Sequence, residues 1–264
     1  PPPDGFTRLT RDAARDEMPS WSPDGRQLLY ERRDPAGDWE LWLVGADGSD
    51  PRPLVTNGDA GWGEWSPDGR RIVYWGEDDA GRGNLWLIDV AGGRPHRLTD
   101  APAAAFPVWS PDGNVIAYQE KGADGAWSLR VLDPDTGRSR SIAPASQYMP
   151  SRPQFSPEGR RIAYQVVDDG QFGLWRLEFP TAAPDGSVDY AATPRSVPGS
   201  TLLPMDIGLA RDNGIWSPDG DRLALQMLNL VTTPAGELRL TYKTWLTDPD
   251  GARSVLLTPE ATFA

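Results

Sequence analysis

The sequence contains no cysteine, one histidine (His96) and only two lysines (Lys121 and Lys243) among 264 residues. Without cysteine there are no disulfides, thiolate metal sites or cysteine nucleophiles. One histidine cannot build a metal site of several imidazoles, and no Gly-x-Ser-x-Gly elbow accompanies it, so the residues of a serine hydrolase are missing as well. We therefore expect a protein that is not an enzyme, with no catalytic residues, no metal site and no cofactor.

Long apolar runs are also missing, since none approaches the ~20 residues that a membrane-spanning helix needs. The amino terminus has neither the basic nor the apolar region of a signal peptide, which predicts a mature form or an excised piece. The formal net charge is -12, and such a surface repels phosphate backbones and anionic lipids. We therefore expect no nucleic-acid partner and no direct membrane insertion.

Turn-forming residues and tryptophan are abundant instead, with 28 Gly, 27 Pro and 12 Trp. This much glycine and proline argues against a helical bundle. A repeated motif accounts for much of it: Trp-Ser-Pro-Asp-Gly begins at Trp21, Trp65, Trp109 and Trp216, and Phe-Ser-Pro-Glu-Gly begins at Phe155. Spacings of 44, 44, 46 and 61 residues between these starts indicate a tandem repeat.

Each repeat predicts four short strands joined by turns. A β-rich segment such as Ile72-Val73-Tyr74 follows each motif, then a second apolar segment, an Asp/Gly turn and a short closing strand. Units of roughly 40 to 50 residues with four strands are typical of propeller blades. We predict an all-β chain, a single β-propeller domain over 1–264, with five recognisable blades starting near 11, 55, 100, 145 and 202 and partial repeats at both ends.

The motif itself predicts a hairpin corner. Proline presets φ for a type I turn, Asp or Glu tolerates the next position, and glycine supplies a positive φ. The aromatic before the corner ends the inner strand, where a flat ring can pack against the neighbouring blade. Five repetitions indicate a structural role for these aromatics rather than five binding sites. Paired aspartates elsewhere, such as Asp133 and Asp135, are attributed to turn chemistry in preference to calcium binding.

These five motif copies resemble the TolB-like β-propeller repeat, a relative of the WD repeat found in many bacterial envelope and secreted proteins. The resemblance implies a six-bladed ring in the intact protein and a role as a docking platform. It leads us to expect a non-enzymatic scaffold for protein–protein interaction, periplasmic or extracellular, whose partner is a protein, for example in an envelope or membrane-associated complex.

The two ends of the sequence look like parts of further repeats. Residues 4–10 resemble a closing strand and residues 258–264 resemble the beginning of another unit. Either the chain is cut from a longer protein, which we favour, or the ring closes on five blades. The cut keeps a second function open: the accessory propeller domain of a larger enzyme, such as a prolyl-oligopeptidase-type serine peptidase.

The same resemblance implies where a partner binds. In family members, the residue three before each motif aromatic lies at the mouth of the central channel. Here these positions and two acidic neighbours are Glu17, Met18, Trp62, Phe106, Arg152, Asp212 and Asn213. They differ from blade to blade, and large apolar groups beside charges are typical of interface hot spots. Two alternatives stay open: the aromatics only plug the channel, or the long loops of residues 179–214 carry the function.

Overall fold

The computed structural model describes residues 8–10, 12–56, 58–143, 150–168, 171–180, 188–196, 202–203, 215–232, 238–248 and 254–256. The regular elements among these residues are all strands, which confirms the all-β prediction. In this part of the chain no helix is long and apolar enough to cross a membrane.

The strands form five antiparallel sheets that follow one another along the chain. Sheet 1 contains β1 (Asp16–Trp21), β2 (Gln27–Arg33), β3 (Trp39–Gly45) and β4 (Arg52–Val55). Sheet 2 contains β5 (Ala60–Trp65), β6 (Arg71–Glu77), β7 (Gly83–Asp89) and β8 (His96–Arg97). Sheet 3 contains β9 (Ala103–Trp109), β10 (Ile116–Lys121), β11 (Trp127–Leu132) and β12 (Ser139–Ser141).

The fourth and fifth sheets repeat this plan in the second half of the chain. Sheet 4 contains β13 (Pro150–Phe155), β14 (Arg161–Asp168), β15 (Gln171–Glu178) and β16 (Arg195–Ser196), and β17 (Leu202–Leu203) also pairs with β15. Sheet 5 contains β18 (Ile215–Trp216), β19 (Leu223–Thr232), β20 (Leu238–Thr247) and β21 (Ser254–Leu256). Each sheet pairs its strands in chain order, so the five predicted four-stranded repeats are confirmed.

The chain groups into two compact units, Pro1–Asp124 with Leu132–Ser139, and Gly125–Val131 with Arg140–Ala264. The single domain over 1–264 and the blade number of the intact protein stay predictions. Most of the long-loop segment 179–214 lies outside the described residues.

The Ser-Pro-Asp-Gly corner between the first two strands of each sheet is held by its own side chains. Ser66 Oγ donates to Asp68 Oδ1 at 2.6 Å and accepts the Arg71 N–H at 2.9 Å, while the Gly69 N–H bonds the Ser66 carbonyl at 2.8 Å. The Ser66 hydroxyl is the main cause that lowers the pKa of Asp68. Gly69 has a φ of 70°, the positive value expected of this turn position. Equivalent bonds form at Ser22, Ser110, Ser156 and Ser217.

The motif aromatics join consecutive sheets, as the repeat predicts. The indole N–H of Trp109 in sheet 3 donates to the Glu64 carbonyl of sheet 2 at 3.3 Å, and the Arg71 guanidinium lies 5.2 Å from the centre of the Trp109 ring. Trp65 makes the equivalent bond to the Ser20 carbonyl, and Trp216 to the Gln154 carbonyl. Each indole therefore adds a directional bond to the apolar packing between sheets.

Much of the core lies between adjacent sheets. Leu29, Leu41 and Leu43 of sheet 1 pack with Trp65 and Ile72 of sheet 2 in one cluster of buried side chains. A second such cluster joins sheet 2 to sheet 3 and includes Trp109. Sheets 1, 2 and 3 therefore bury apolar surface by stacking on one another, as in other repeat proteins.

Trp21 departs from the expected structural role of the motif aromatics. Its side chain is 58% exposed, whereas the four later motif aromatics are only 6% to 8% exposed. The indoles of Trp65, Trp109 and Trp216 each bond the sheet that precedes their own, and among the described residues no sheet precedes sheet 1. The prediction that all five rings are packed between blades is therefore wrong for Trp21.

Candidate binding face at the strand bulges

Met18, Trp62 and Phe106 occupy equivalent positions in the first strands of sheets 1, 2 and 3. Their φ angles are 51°, 50° and 52°, the left-handed region that bulky residues rarely adopt. The register of each strand shifts at this point. A β-bulge therefore turns the same position of each sheet out of the regular pleat and re-aims its side chain.

The local sequence explains why the bulge forms there. In sheet 2, Trp62 and Gly63 together face the single residue Tyr74 on β6. The residue after each bulge position is Pro19, Gly63 or Pro107. Proline cannot donate to a strand ladder, and glycine lacks a Cβ, so both are typical of bulges. A Cβ added to Gly63 would come within 2.7 Å of Leu29, so sheet 1 leaves no room for a larger residue.

The bulges bring three aromatic rings together. The Trp62 and Phe106 ring centres are 4.5 Å apart, and those of Trp62 and Trp75 are 5.4 Å apart. Trp62 remains 38% exposed and Met18 59% exposed. We call the set of Glu17, Met18, Glu31, Trp62, Trp75 and Phe106 the bulge face; all six belong to the first compact unit.

Trp75 is a member of this face that sequence reasoning missed. It follows Tyr74 on β6, and its ring occupies the space over Gly83, where an added Cβ would overlap the indole. The equivalent residues of sheets 1 and 3 are Glu31 and Gln119. This position varies between repeats just as the bulge positions do, and that variation was the signal available in the sequence.

Glu31 connects the bulge of sheet 2 to sheet 1. Its Oε1 atom accepts the Trp62 backbone N–H at 2.7 Å, and a Cβ on Gly61 would lie 3.1 Å from the same oxygen. Burial raises the pKa of Glu31; the Trp62 N–H opposes this rise, and the nearby Glu17 charge adds to it. Glu17 faces Glu31 across the β1–β2 pair and forms an ion pair with Arg15. The face therefore holds two neighbouring carboxylates.

Glu64 adds a third acidic group on β5. Gly63 faces Leu29 of sheet 1, and side chains alternate along a strand, so the next residue, Glu64, projects from the opposite side of β5. The Glu64 side chain still reaches solvent, yet enough protein surrounds it that burial raises its pKa to about 7. No ion pair or side-chain hydrogen bond to this carboxylate occurs among the described residues.

The remaining predicted site residues lie elsewhere. Arg152 is on β13, where the register also shifts between Ser151 and Gln154, so the bulge recurs in sheet 4. The Arg152 side chain is outside the described part of the chain, and so are Asp212 and Asn213. His96 is exposed on the last strand of sheet 2, the outer position that the repeat predicts.

The acidic turns behave as turn chemistry predicts wherever they are described. The Asp133 carboxylate accepts the backbone N–H groups of Asp135 and Thr136, and Asp78 accepts those of Ala80 and Arg82. Within the described ranges no three potential metal ligands cluster together.

Comparisons with known proteins place these observations in a family. The sequence profile of the TolB beta propeller domain matches residues 4–143, whereas no curated protein matches the chain. A putative TolB from Agrobacterium tumefaciens is 22% identical with a TM-score of 0.66, over 95% of this chain and 83% of that one. TolB from Acinetobacter baumannii is 19% identical with a TM-score of 0.59, over 89% and 53%.

An enzyme also shares the architecture. Prolyl oligopeptidase B from Galerina marginata is 12% identical with a TM-score of 0.60, and the match covers 91% of this chain but 33% of that one. At such identities the structural likeness shows the fold alone, and that fold is a β-propeller. Together with the profile match over half of the sequence, it shows that the chain belongs to the TolB beta propeller domain family.

Proposed function

We propose that this chain is a non-enzymatic β-propeller that binds a protein partner through the bulge face, in the bacterial cell envelope or outside the cell. The observation that supports this most is the repeated positive φ at Met18, Trp62 and Phe106. A left-handed conformation costs an L-residue roughly 1–2 kcal/mol, so stability alone favours glycine here. Strain of this kind is characteristic of functional positions.

The exposure of the side chains supports the same proposal. Met18 and Trp62 are turned toward solvent, whereas Trp65, three residues after Trp62, is buried between sheets. Tryptophan and methionine are enriched at protein interfaces, and acidic groups beside them provide the polar surroundings of a binding hot spot. The similarity to TolB proteins supports the envelope location and a protein partner.

The proposal is tested by comparing variants of the chain in partner binding. The immobilised wild-type chain is used to capture a partner from the source organism, and the partner is then identified, purified and titrated. Trp62→Ala and Phe106→Ala should each weaken binding by at least about thirtyfold, the loss typical of a hot-spot residue. Trp21→Ala is the matched control, because Trp21 is also an exposed tryptophan of a first strand, and it should change the affinity less than about twofold.

Two results would contradict the proposal. Binding that survives both substitutions but is lost when the segment 179–214 is shortened would assign the function to the long loops. Binding that depends on Trp21 as strongly as on Trp62 would remove the special role of the bulges.

The runner-up function is that of an accessory propeller domain in a larger enzyme. The match to prolyl oligopeptidase B, of which this chain covers one third, favours this second candidate. The reading frame beyond Pro1 and Ala264 distinguishes the two. A nucleophile elbow of the Gly-x-Ser-x-Gly type downstream supports the enzyme, whereas a signal peptide or lipobox upstream supports the envelope platform.

A further inference from the structure

The bulge face combines apolar rings with carboxylates that lack a cation. Arg15 pairs with Glu17, but no cationic side chain among the described residues pairs with Glu31 or Glu64. Glu31 accepts the backbone N–H of Trp62 itself, so its carboxylate lies at the backbone of the residue that carries the exposed indole. The overall charge of -12 adds to the negative potential around these groups.

This arrangement constrains the chemistry of whatever covers Trp62. A partner that packs on the Trp62 ring comes close to the Glu31 carboxylate, which is bonded to the Trp62 backbone, and removing a carboxylate from water is costly unless an opposite charge compensates. An apolar side chain offers no such compensation, and an acidic one adds repulsion. The long aliphatic stem of a lysine or arginine can lie on apolar surface while its charged head reaches the carboxylate.

The rings favour the same kind of group. The face of an aromatic ring attracts a cation through its quadrupole, and this chain already uses such contacts, since Arg71 lies over Trp109 and Arg161 over Trp216. Trp62, Phe106 and the Glu31 carboxylate therefore attract one cationic side chain from several directions.

We infer that the bulge face binds a lysine or arginine side chain of the protein partner, with its stem on Trp62 and Phe106 and its cationic head at the Glu31 carboxylate. This inference rests on the proposed function, because it specifies the partner's chemistry at the same face. It predicts a partner whose docking segment is basic.

The inference is tested with two short peptides and the indole N–H resonances of the 15N-labelled chain. One peptide is acetyl-Gly-Lys-Gly-Lys-Gly-amide, and the other is identical except that both lysines are Nε-acetylated, which keeps the stem and removes the charge. Trp62→Phe and Trp75→Phe assign the two resonances of the face. The charged peptide should shift both resonances and bind at least about fivefold more tightly than the acetylated one, with an affinity that falls as salt is added.

Charge-removing variants show which carboxylates act. Glu31→Gln keeps an acceptor for the Trp62 N–H and should weaken the charged peptide by about three- to tenfold, leaving the acetylated peptide unaffected. Asp50→Asn is the control, since Asp50 is an exposed residue with a φ of 48° in the turn after β3; it makes the same charge change, and asparagine tolerates that conformation.

Each other outcome has a defined meaning. Equal shifts from both peptides, or no effect of Glu31→Gln, would overturn the inference while the proposed function stands. No shift at Trp62 with millimolar charged peptide also overturns the inference, and the partner-binding variants still decide the function separately. A neutral oligosaccharide that shifts Trp62 more readily than the charged peptide would overturn both.

Discussion

Trp109 and Trp62 provide the sharpest test of the distinction between packing and binding aromatics. Trp109 is 6% exposed and lies in the core cluster between sheets 2 and 3. Its indole N–H donates to the backbone carbonyl of Glu64. Replacing a buried tryptophan by alanine costs about 3–5 kcal/mol. Trp109→Ala should therefore lower the free energy of unfolding by that amount, and Trp109→Phe, which loses chiefly the hydrogen bond, by about 1–2 kcal/mol.

Trp62→Ala should cost much less than Trp109→Ala. Its ring is 38% exposed and packs mainly on two neighbouring rings, Trp75 and Phe106. We expect a loss of about 1–2 kcal/mol, between that of a surface residue and that of a core residue. Urea unfolding followed by far-ultraviolet circular dichroism measures all three variants under the same conditions.

The comparison has a clear refuting result. If the Trp62→Ala chain were as unstable as the Trp109→Ala chain, the bulge aromatics would belong to the core. The bulge face would then not be a binding surface. A Trp109→Phe chain as stable as the wild type would show that the indole bond between sheets contributes nothing beyond the ring.

Three further outcomes are expected. Trp62→Gly should be about 1 kcal/mol more stable than Trp62→Ala, because only glycine adopts the φ of 50° without strain; the reverse order in urea unfolding would contradict the left-handed conformation. Burial raises the pKa of Glu64 to about 7, so the folded chain keeps a proton that the unfolded chain releases near pH 4.5. The stability that depends on the protonated Glu64 is therefore full below pH 4.5 and lost as the pH rises to about 7. Glu64→Gln should remove this part of the pH dependence of the unfolding free energy, measured from unfolding curves across that range. An unchanged pH dependence would refute the assignment. His96→Ala should leave the unfolding free energy within about 0.5 kcal/mol of the wild type, because His96 is exposed, and a larger change in a thermal melt would show a structural role for the ring.

Local chemistry made much of the fold predictable. The Ser-Pro-Asp-Gly corner needs only its own residues, as the bonds among Ser66, Asp68 and Gly69 show. Because this corner recurs along the chain, the sequence determined the number of four-stranded repeats, the inner position of the motif aromatics and the outer position of His96. The resemblance to the TolB-like repeat also singled out Met18, Trp62 and Phe106, as channel-mouth positions, but it did not predict that they are bulges.

Only the tertiary structure decided what those positions do. The bond from Trp62 to Glu31 joins residues 31 positions apart, and the stacking of Trp62 on Phe106 joins two sheets. Such contacts depend on how one sheet packs on the next, and strand periodicity or turn chemistry carries no information about them. For the same reason Trp75 was missed, Trp21 was expected to pack against a neighbouring blade, and the confined setting of Glu64 was not predicted.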